Sequence, residues 1–294
     1  LVPLTDVGAA DQGVYGSVTD FLSEQLFGGW DLVLHYDLGR GLRVSTGRNE
    51  KRLKEMVQLA TRRIGDLSTL KNDPATVIAL LDLFVRENIM APPEKRLSVA
   101  VVVSQASYLF PAGEPGRLGF PASGMAVTLL NWATSAQVKR LEMAFVLVDE
   151  RRSDMSERIT GNPQVSTIEV PMPGERERIA YVADVAHPDR WTAISDYTPQ
   201  QLGTLSAGLS LNDLSVLIRT ADDAAGGQRL DARLFAGIKK RLLERQCQGL
   251  LEFVEPKWKL DTVIGHEAAK QRLRDDATLL ARGALDCVPM GYLL

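Results

Sequence analysis

The apolar run from Val99 to Val103 restricts the fold of this chain more than any other stretch. No polar residue interrupts it, and turn-forming residues flank it at 91–93 and 111–116. A strand that is apolar on both faces is typical of a central strand in a parallel sheet covered by helices on both sides. Functional residues gather at the carboxyl ends of such strands, and here that end carries Ser104 and Gln105.

The remaining pattern predicts an α/β fold with a doubly wound parallel sheet. Gly39 and Gly41 favour a hairpin between Trp30 and Ser45, because glycine allows the positive φ of a tight turn. From Asp189 the predicted elements are helices at 199–205, 211–223 and 230–247, which indicates a small all-helical subdomain. Further strands are predicted at 142–148 and 165–170, and helices at 18–26, 49–64, 73–87, 123–135 and 175–184.

Composition excludes several classes of protein. The net charge of -3 gives no sign of a partner nucleic acid or membrane surface, and no apolar run is long enough for a membrane span. The start lacks a basic region, so no signal peptide is predicted, and Leu1 in place of a start methionine indicates a processed or excised piece. Cys247 and Cys287 have no metal or redox spacing, which favours a reducing, cytoplasmic location.

The segment 207–221 resembles the lid helix of AAA-type (AAA+) ATPases. The family pattern Gly-x-Ser-Gly-Ala-Asp-Leu is matched at Gly208, Ser210, Asp213 and Leu214, and the chain departs from it at Leu211 and Asn212. In the family this segment approaches the nucleotide, so the resemblance implies a nucleotide-side position for Gly208. Taken alone, the same residues predict an ordinary N-capped amphipathic helix.

The order and spacing of the strands extend this resemblance from Trp30 to Gln248. The segment 168–173 resembles the strand after the family's arginine-finger loop. By spacing, the segment 146–149 corresponds to the family's sensor strand, and the segment 101–105 corresponds to its Walker B strand. The resemblance implies a P-loop NTPase-like AAA+ core. The family's Walker B strand ends in Asp-Glu, whereas Ser104 and Gln105 stand at these positions, so the motif is degenerate.

The phosphate-binding loop of the family is missing from this module. The sequence contains no Gly-Lys pair, so no Walker A loop is present to hold phosphates and Mg²⁺. The loop 157–164 lacks the family's paired arginines, and Arg158 is out of register. We therefore expect that residues 1–255 neither bind ATP tightly nor hydrolyse it.

A second assignment of the Walker B acids stays open. The strand 145–148 is followed directly by Asp149 and Glu150, which fits a hydrophobic strand ending in two carboxylates. These residues are either sensor-like, or the Walker B acids themselves, or solvated carboxylates beside Arg151 and Arg152.

The C-terminal segment resembles the opening of a second, active AAA module. The match covers 260–273, and the family's adenine-contacting residues correspond to Val263, Ile264 and Gly265. The run 289–294 resembles the strand that leads into a Walker A loop. The resemblance implies the front part of a longer tandem ATPase, cut before that loop. The alternative is an ordinary capped helix and a terminal strand.

Three further residue patterns carry weaker signals. His266 and Glu267 begin a zinc pattern that Lys270 breaks, so no metal site is predicted. His35 and Asp37 are either an acid/base pair or hairpin-capping residues. The basic cluster 239–245 lacks interleaved aromatic residues, which argues against nucleic-acid binding.

Together these observations predict the amino-terminal part of an AAA-type ATPase. The family forms rings, usually of six subunits, that use ATP and Mg²⁺ to remodel a protein substrate, and a silent module commonly serves assembly or regulation. The alternative is a non-enzymatic α/β scaffold that binds a protein partner. The predicted division is a lead-in segment 1–29, a degenerate AAA α/β domain 30–188, a helical lid 189–250, and a linker with the start of a second module 251–294.

Overall fold

The computed structural model describes residues 1–4, 14–46, 50–113, 119–186, 188–222, 229–246 and 260–281. The chain forms two compact units, Leu1–Ala236 and Gly237–Leu294. The predicted terminal strand 289–294, the predicted linker before Leu260 and both cysteines lie outside the described residues. Within the described ranges, no helix has the length and apolarity needed to cross a membrane.

The strands form two separate sheets. They are β1 Val2–Leu4, β2 Val14–Gly16, β3 Leu32–Asp37, β4 Gly41–Val44, β5 Val99–Ser104 and β6 Met143–Val148. Strands β1 and β2 pair antiparallel, and we call this pair the N-terminal ribbon. The main sheet has the order β4-β3-β5-β6.

Helices account for most of the remaining described structure. They are α1 Val18–Phe21, continued by a π-helical turn Leu22–Leu26, then α2 Glu50–Arg63, α3 Pro74–Met90, α4 Phe120–Thr134, α5 Glu157–Thr160, α6 Glu175–Val185, α7 Pro188–Ile194, α8 Pro199–Leu205, α9 Leu211–Asp222, α10 Ala232–Gln246 and α11 Glu267–Ala281. Helix α3 begins as predicted, with Asp73 accepting a bond from the Thr76 amide and Pro74 in the first turn.

The main sheet confirms the α/β fold class and corrects one detail of it. Strands β3, β5 and β6 are parallel, whereas β4 runs antiparallel to β3, so the sheet is mixed. The predicted hairpin supplies β3 and β4 and therefore belongs to the same sheet as the central strand. In its turn, Gly41 has a φ of 74°, which lies in the left-handed region that a tight turn needs.

The predicted strand 165–170 is wrong. The segment is not paired with any strand of the described residues, and Ile168 is 86% exposed. Its β-branched residues favour an extended backbone, but a strand also needs a neighbour that supplies hydrogen bonds. Pro171 and Pro173 follow directly and have no amide hydrogen to donate.

Helices cover both faces of the sheet. On one face, Trp132 of α4 stacks on Phe145 with ring centroids 4.5 Å apart. On the opposite face, Ser23 of the π-helical turn contacts Ser45 at 3.0 Å between hydroxyl oxygens. Because both faces are covered, the β5 valines are almost fully buried. Each such side chain contributes roughly 1.5–3 kcal/mol to folding.

Candidate functional site at the carboxyl edge of the sheet

The parallel strands bring four of the predicted site residues to one edge of the sheet. Ser104 ends β5 and is in register with Val148 of β6. Gln105 follows β5, and Asp149 and Glu150 follow β6. The carboxyl edge of the sheet is therefore where Ser104, Gln105, Asp149 and Glu150 meet, as the strand pattern predicts.

A chain of four hydrogen-bonded side chains crosses this edge. The Ser104 hydroxyl oxygen lies 2.7 Å from Nε2 of His35. Nδ1 of His35 lies 3.1 Å from Nη2 of Arg43, and Nη1 of Arg43 lies 2.7 Å from the Asp37 carboxylate. These side chains come from β3, β4 and β5, and strand alternation points them to the same face.

The protonation of His35 follows from its partners. The Arg43 guanidinium can only donate, so Nδ1 of His35 must accept, and Nε2 carries the proton that is donated to Ser104. Burial lowers the pKa of His35, and the charge of Arg43 lowers it further. His35 is therefore neutral, with both ring nitrogens occupied. It has no free nitrogen with which to act as a base on Ser104.

Asp37 acts as the capping residue of the hairpin. One of its carboxylate oxygens accepts the amides of Gly39 at 2.9 Å and Arg40 at 2.7 Å. Burial alone would raise the pKa of Asp37, but the bonds from Arg43 and from these amides hold it below its usual value. Of the two roles considered for this residue, the structure supports hairpin capping, because Asp37 binds Arg43 and the turn amides.

Gln105 adopts an unusual backbone conformation at the end of the central strand. Its φ is 53°, in the left-handed region that non-glycine residues seldom adopt. The chain then enters a 3₁₀ turn, Ala106–Tyr108. Gln105 lines a small cleft of about 170 Å³ together with Leu38 and Tyr108.

The Asp149 carboxylate joins the end of β6 to the turn that follows β5. One oxygen accepts the Ser107 amide at 2.6 Å, and the other accepts the Glu150 amide at 2.8 Å. Burial opposes ionisation of Asp149, but the bonds from Ser107 and from the following amides lower its pKa below the usual value. Both carboxylate oxygens already have backbone donors, whereas Glu150 is exposed.

The residues at this edge do not fit a magnesium–nucleotide site. A serine and a glutamine stand where the family resemblance requires two carboxylates, and Asp149 is bound to amides. Of the residues whose placement is described, no three histidine, cysteine or acidic side chains are grouped so that they could hold a metal ion.

Gly208 lies in the helical part of the first unit. It has a φ of 85° in the turn between α8 and α9. Ser210 and Asp213 form a reciprocal cap: the Asp213 carboxylate accepts the Ser210 amide at 3.0 Å, and the Ser210 hydroxyl accepts the Asp213 amide at 3.1 Å. Leu214 is fully buried. Helix capping and core packing thus account for the residues that match the lid pattern.

The remaining predicted site residues belong to the second unit. Ile264 is 95% exposed, and Val263 is also exposed. Gly265 has a φ of 78° and His266 a φ of 55°, so two successive residues adopt left-handed conformations before α11 begins. This turn presents its apolar side chains to solvent.

Residues 1–171 match the family model described as AAA+ chaperone, N-terminal Rossmann-like domain, and residues 176–248 match the model described as AAA+ chaperone, second helical domain. No curated protein matches. A solved structure of the E. coli MS115-1 HORMA:CdnC:Trip13 complex is similar to this chain at 14% sequence identity and a TM-score of 0.39, covering 74% of this chain and 76% of that chain.

Proposed function

This chain belongs to the AAA+ chaperone family, and from that premise we propose that it is the non-hydrolysing part of an ATP-dependent machine that remodels proteins. In this proposal the N-terminal module serves assembly or regulation. The complete protein binds and hydrolyses ATP with Mg²⁺, in a ring of identical subunits.

The carboxyl edge of the sheet carries the proposal. Ser104 is hydrogen-bonded to the neutral His35, and the Asp149 carboxylate is held by the amides of Ser107 and Glu150. Phosphoryl transfer needs carboxylates that bind the metal and orient the attacking water. Here the polar groups are instead bound to each other, which supports a structural role for this edge.

Photo-crosslinking with radiolabelled azido-ATP tests this proposal. The chain of residues 1–294 is irradiated with and without Mg²⁺, and the labelled peptides are identified by mass spectrometry. We expect no magnesium-dependent label within residues 1–255. Saturable label at the ends of β5 and β6 would show that the module binds nucleotide and would overturn the proposal.

Turnover measurements address the alternative assignment of Asp149 and Glu150. We expect no ATP hydrolysis by the chain of residues 1–294. Hydrolysis that is abolished by both Asp149→Asn and Glu150→Gln, in variants that remain folded, would make these residues the catalytic acids instead.

The turn at 263–265 is proposed to contact adenine in the complete second module. Val263 and Ile264 are exposed and so are accessible to a ligand, which supports this role. A longer chain that continues past Leu294 through a phosphate loop should bind ATP, and an Ile264→Asp substitution in it should weaken that binding. Unchanged affinity in this variant would argue against an adenine contact.

A further inference from the structure

Strand β6 lies at one end of the main sheet but has the sequence of a central strand. All of its residues, Met143–Val148, are apolar, and none is a proline. Apolar residues on both faces are typical of strands that have neighbours on both sides. However, β6 is only half-buried along its whole length, whereas the β5 residues Val99–Val103 are buried. The sequence of β6 therefore fits a sheet that continues beyond it.

The outer side of β6 carries backbone groups without partners. The Val99 amide donates to the Glu142 carbonyl at 2.8 Å, and Val99 is in register with Met143. Peptide groups alternate in direction along a strand, so those of Phe145 and Leu147 point away from β5. Within the described ranges, no group bonds to them. An edge that has neither a charge nor a proline is unprotected against the addition of another strand.

The segment 166–172, which we call the exposed segment, is held at both ends and unpaired between them. Val165 before it packs against the core, and the Pro173 carbonyl after it accepts a bond from Nη1 of Arg178 at 2.7 Å. Its own backbone makes no hydrogen bond to any residue that the structure describes. Val170 and Met172 each precede a proline, which favours an extended backbone at these positions.

The side chains of the exposed segment alternate as those of a strand do. Ile168, Val170 and Met172 are 86%, 60% and 54% exposed. In an extended backbone, residues two positions apart lie on the same side, so these three form one apolar row. Thr167 and Glu169 lie on the opposite, polar side. An exposed row of apolar side chains marks a surface that binds another protein.

We infer that the exposed segment of one subunit adds as a strand to the outer edge of β6 in a second copy of this chain. The chain supplies both parts of the contact: a strand edge without a neighbour, and a strand-forming segment without an edge. Their lengths agree, because β6 has 6 residues and the exposed segment offers residues 166–170 before Pro171, which has no amide hydrogen. Backbone hydrogen bonds supply affinity, and the apolar row extends one face of the sheet.

This contact joins unlike surfaces of two identical subunits. A contact of this type generates a ring if the rotation between subunits closes, and a filament if it does not. The inference rests on the assembly role proposed above and gives that role a defined contact. Because the contact involves no nucleotide, magnesium-dependent labelling with azido-ATP can overturn the proposed function without affecting this inference.

Sedimentation of the chain of residues 1–294 over a range of concentrations tests the inference. We expect reversible self-association, which Ile168→Lys weakens about tenfold or more, because the charge interrupts the apolar row. Met90→Lys is the matched control: Met90 is 83% exposed, against 86% for Ile168, and it lies at the end of α3. This control should change the dissociation constant less than about twofold. A chain that remains monomeric, or equal effects of the two variants, would overturn the inference.

Hydrogen exchange of the β6 amides shows which surface the second copy covers. The Phe145 and Leu147 amides should exchange more slowly as the concentration rises, because they then donate to the exposed segment of another subunit. The Val146 amide points toward β5 and should change less, so it serves as an internal reference. In Ile168→Lys the dependence on concentration should be lost.

Two outcomes of the exchange experiment would overturn the inference. Slow exchange of Phe145 and Leu147 at every concentration would mean that the chain's own residues cover the edge. Unchanged exchange during self-association would mean that the subunits meet through another surface, in which case the assembly role would stand without this contact.

Mixing two complementary variants tests whether unlike surfaces meet. Leu147→Pro removes an outward amide of β6 but keeps the bonds to β5 and an unchanged exposed segment. Ile168→Lys keeps an unchanged β6 edge. Each variant alone should associate about tenfold more weakly than the unsubstituted chain, whereas an equimolar mixture should form a heterodimer. A mixture that associates no more tightly than its components would overturn the inference.

A synthetic peptide replaces the Leu147→Pro variant if circular dichroism shows that this variant is unfolded. The peptide has the sequence of residues 166–172 and is titrated into the Ile168→Lys chain, whose β6 edge is free. We expect saturable binding, and the same peptide with N-methyl groups on alternate amides should bind at least about tenfold more weakly. No saturable binding, or equal affinity of the two peptides, would overturn the inference.

Discussion

The Tyr15 hydroxyl donates to the Asp184 carboxylate across 2.7 Å, although the two residues are 169 positions apart. The Tyr15 ring also meets the Tyr181 ring edge to face, with centroids 4.7 Å apart. Burial raises the pKa of Tyr15, and the bond to Asp184 raises it further. The N-terminal ribbon therefore joins α1, which it packs against, to α6 at the start of the helical domain.

Removing this bond should destabilise the junction by a small amount. In Tyr15→Phe the ring contact with Tyr181 remains and the hydrogen bond is lost, so we expect a decrease of about 0.5–1.5 kcal/mol in the free energy of unfolding. Urea denaturation followed by circular dichroism measures it. Tyr108→Phe is the control, because Tyr108 is 73% exposed. Equal effects of the two variants would show that the bond contributes nothing specific.

Gly203 allows α6 and α8 to approach each other closely. A Cβ atom at this position would lie 2.6 Å from Cγ1 of Ile179 and 2.7 Å from its Cα, too close for any real contact. The Gly203 carbonyl also accepts a bond from Nε of the buried Arg178 at 3.0 Å. In Gly203→Ala the helices must separate, so we expect a loss of about 1–3 kcal/mol or more in the free energy of unfolding.

Gly124→Ala is the matched control for this prediction. Gly124 also lies in a helix, but nothing lies within 4 Å of the position its Cβ would occupy. Alanine restricts the unfolded chain and favours the helix, so this variant should be more stable by about 0.5–1 kcal/mol. Thermal melts of both variants should shift in opposite directions. A neutral Gly203→Ala would contradict the close packing of α6 and α8.

The parts of the fold that local sequence determines were predictable. A short apolar run rich in β-branched residues, such as Val99–Val103, favours a buried strand, and Asp73 before Pro74 marks a helix start through local bonds alone. The segment 165–170 is also rich in β-branched residues, but it pairs with no strand of the described residues. Strand pairing depends on residues that are distant in the sequence, so it cannot be predicted from the composition of the segment itself.

The candidate site could be located from the sequence but its connections could not. Strand ends place Ser104 and Asp149 at one edge, because parallel strands end together. The bond between His35 and Ser104 depends on the register of β3 against β5, which the sequence does not specify. In the observed register His35 lies opposite Val102, so Ser104, two residues further along β5, is on the same face as His35. This proximity can be inferred only once the register is known.

Tyr36 contains a buried hydroxyl that finds no hydrogen-bond partner in the described part of the chain. The side chain is fully buried, and burial raises its pKa to about 12. An unsatisfied buried donor costs about 1–3 kcal/mol, so Tyr36→Phe should increase the free energy of unfolding by about 1 kcal/mol. Chemical denaturation measures the change. A destabilised variant would mean that the hydroxyl is satisfied, for example by a buried water molecule.

Acidification should destabilise the first unit through His35. In the folded chain the pKa of His35 is lowered by burial and by Arg43, whereas in the unfolded chain it is about 6.5. As the pH falls below about 6.5, the unfolded chain takes up a proton before the folded chain does. The free energy of unfolding should therefore fall by up to about 1.4 kcal/mol per pH unit, until the folded-state pKa is reached, and this contribution should be constant at higher pH.

Two variants test whether this pH dependence of the free energy of unfolding comes from His35. His35→Gln should remove the part of the slope below about pH 6.5 that the histidine supplies. His266→Gln replaces an exposed histidine and should leave the slope as it is in the unsubstituted chain. Urea denaturation at several pH values between about 5 and 8 measures both. An unchanged slope in His35→Gln would mean that His35 is not kept neutral by the fold.

Substitutions of Asp149 and Glu150 should distinguish a carboxylate that stabilises the fold from one that is exposed to solvent. Asp149→Asn replaces one acceptor oxygen with an amide nitrogen, so either the Ser107 amide or the Glu150 amide loses its partner. We expect a decrease of about 1 kcal/mol in the free energy of unfolding, comparable to the loss of a helix cap. Glu150→Gln changes an exposed side chain and should stay within about 0.5 kcal/mol of the unsubstituted chain. Urea denaturation compares them, and hydrogen exchange at the Ser107 amide reports the broken bond directly. Unchanged stability and exchange in Asp149→Asn would show that this carboxylate is free, which would favour its assignment as a metal-binding acid.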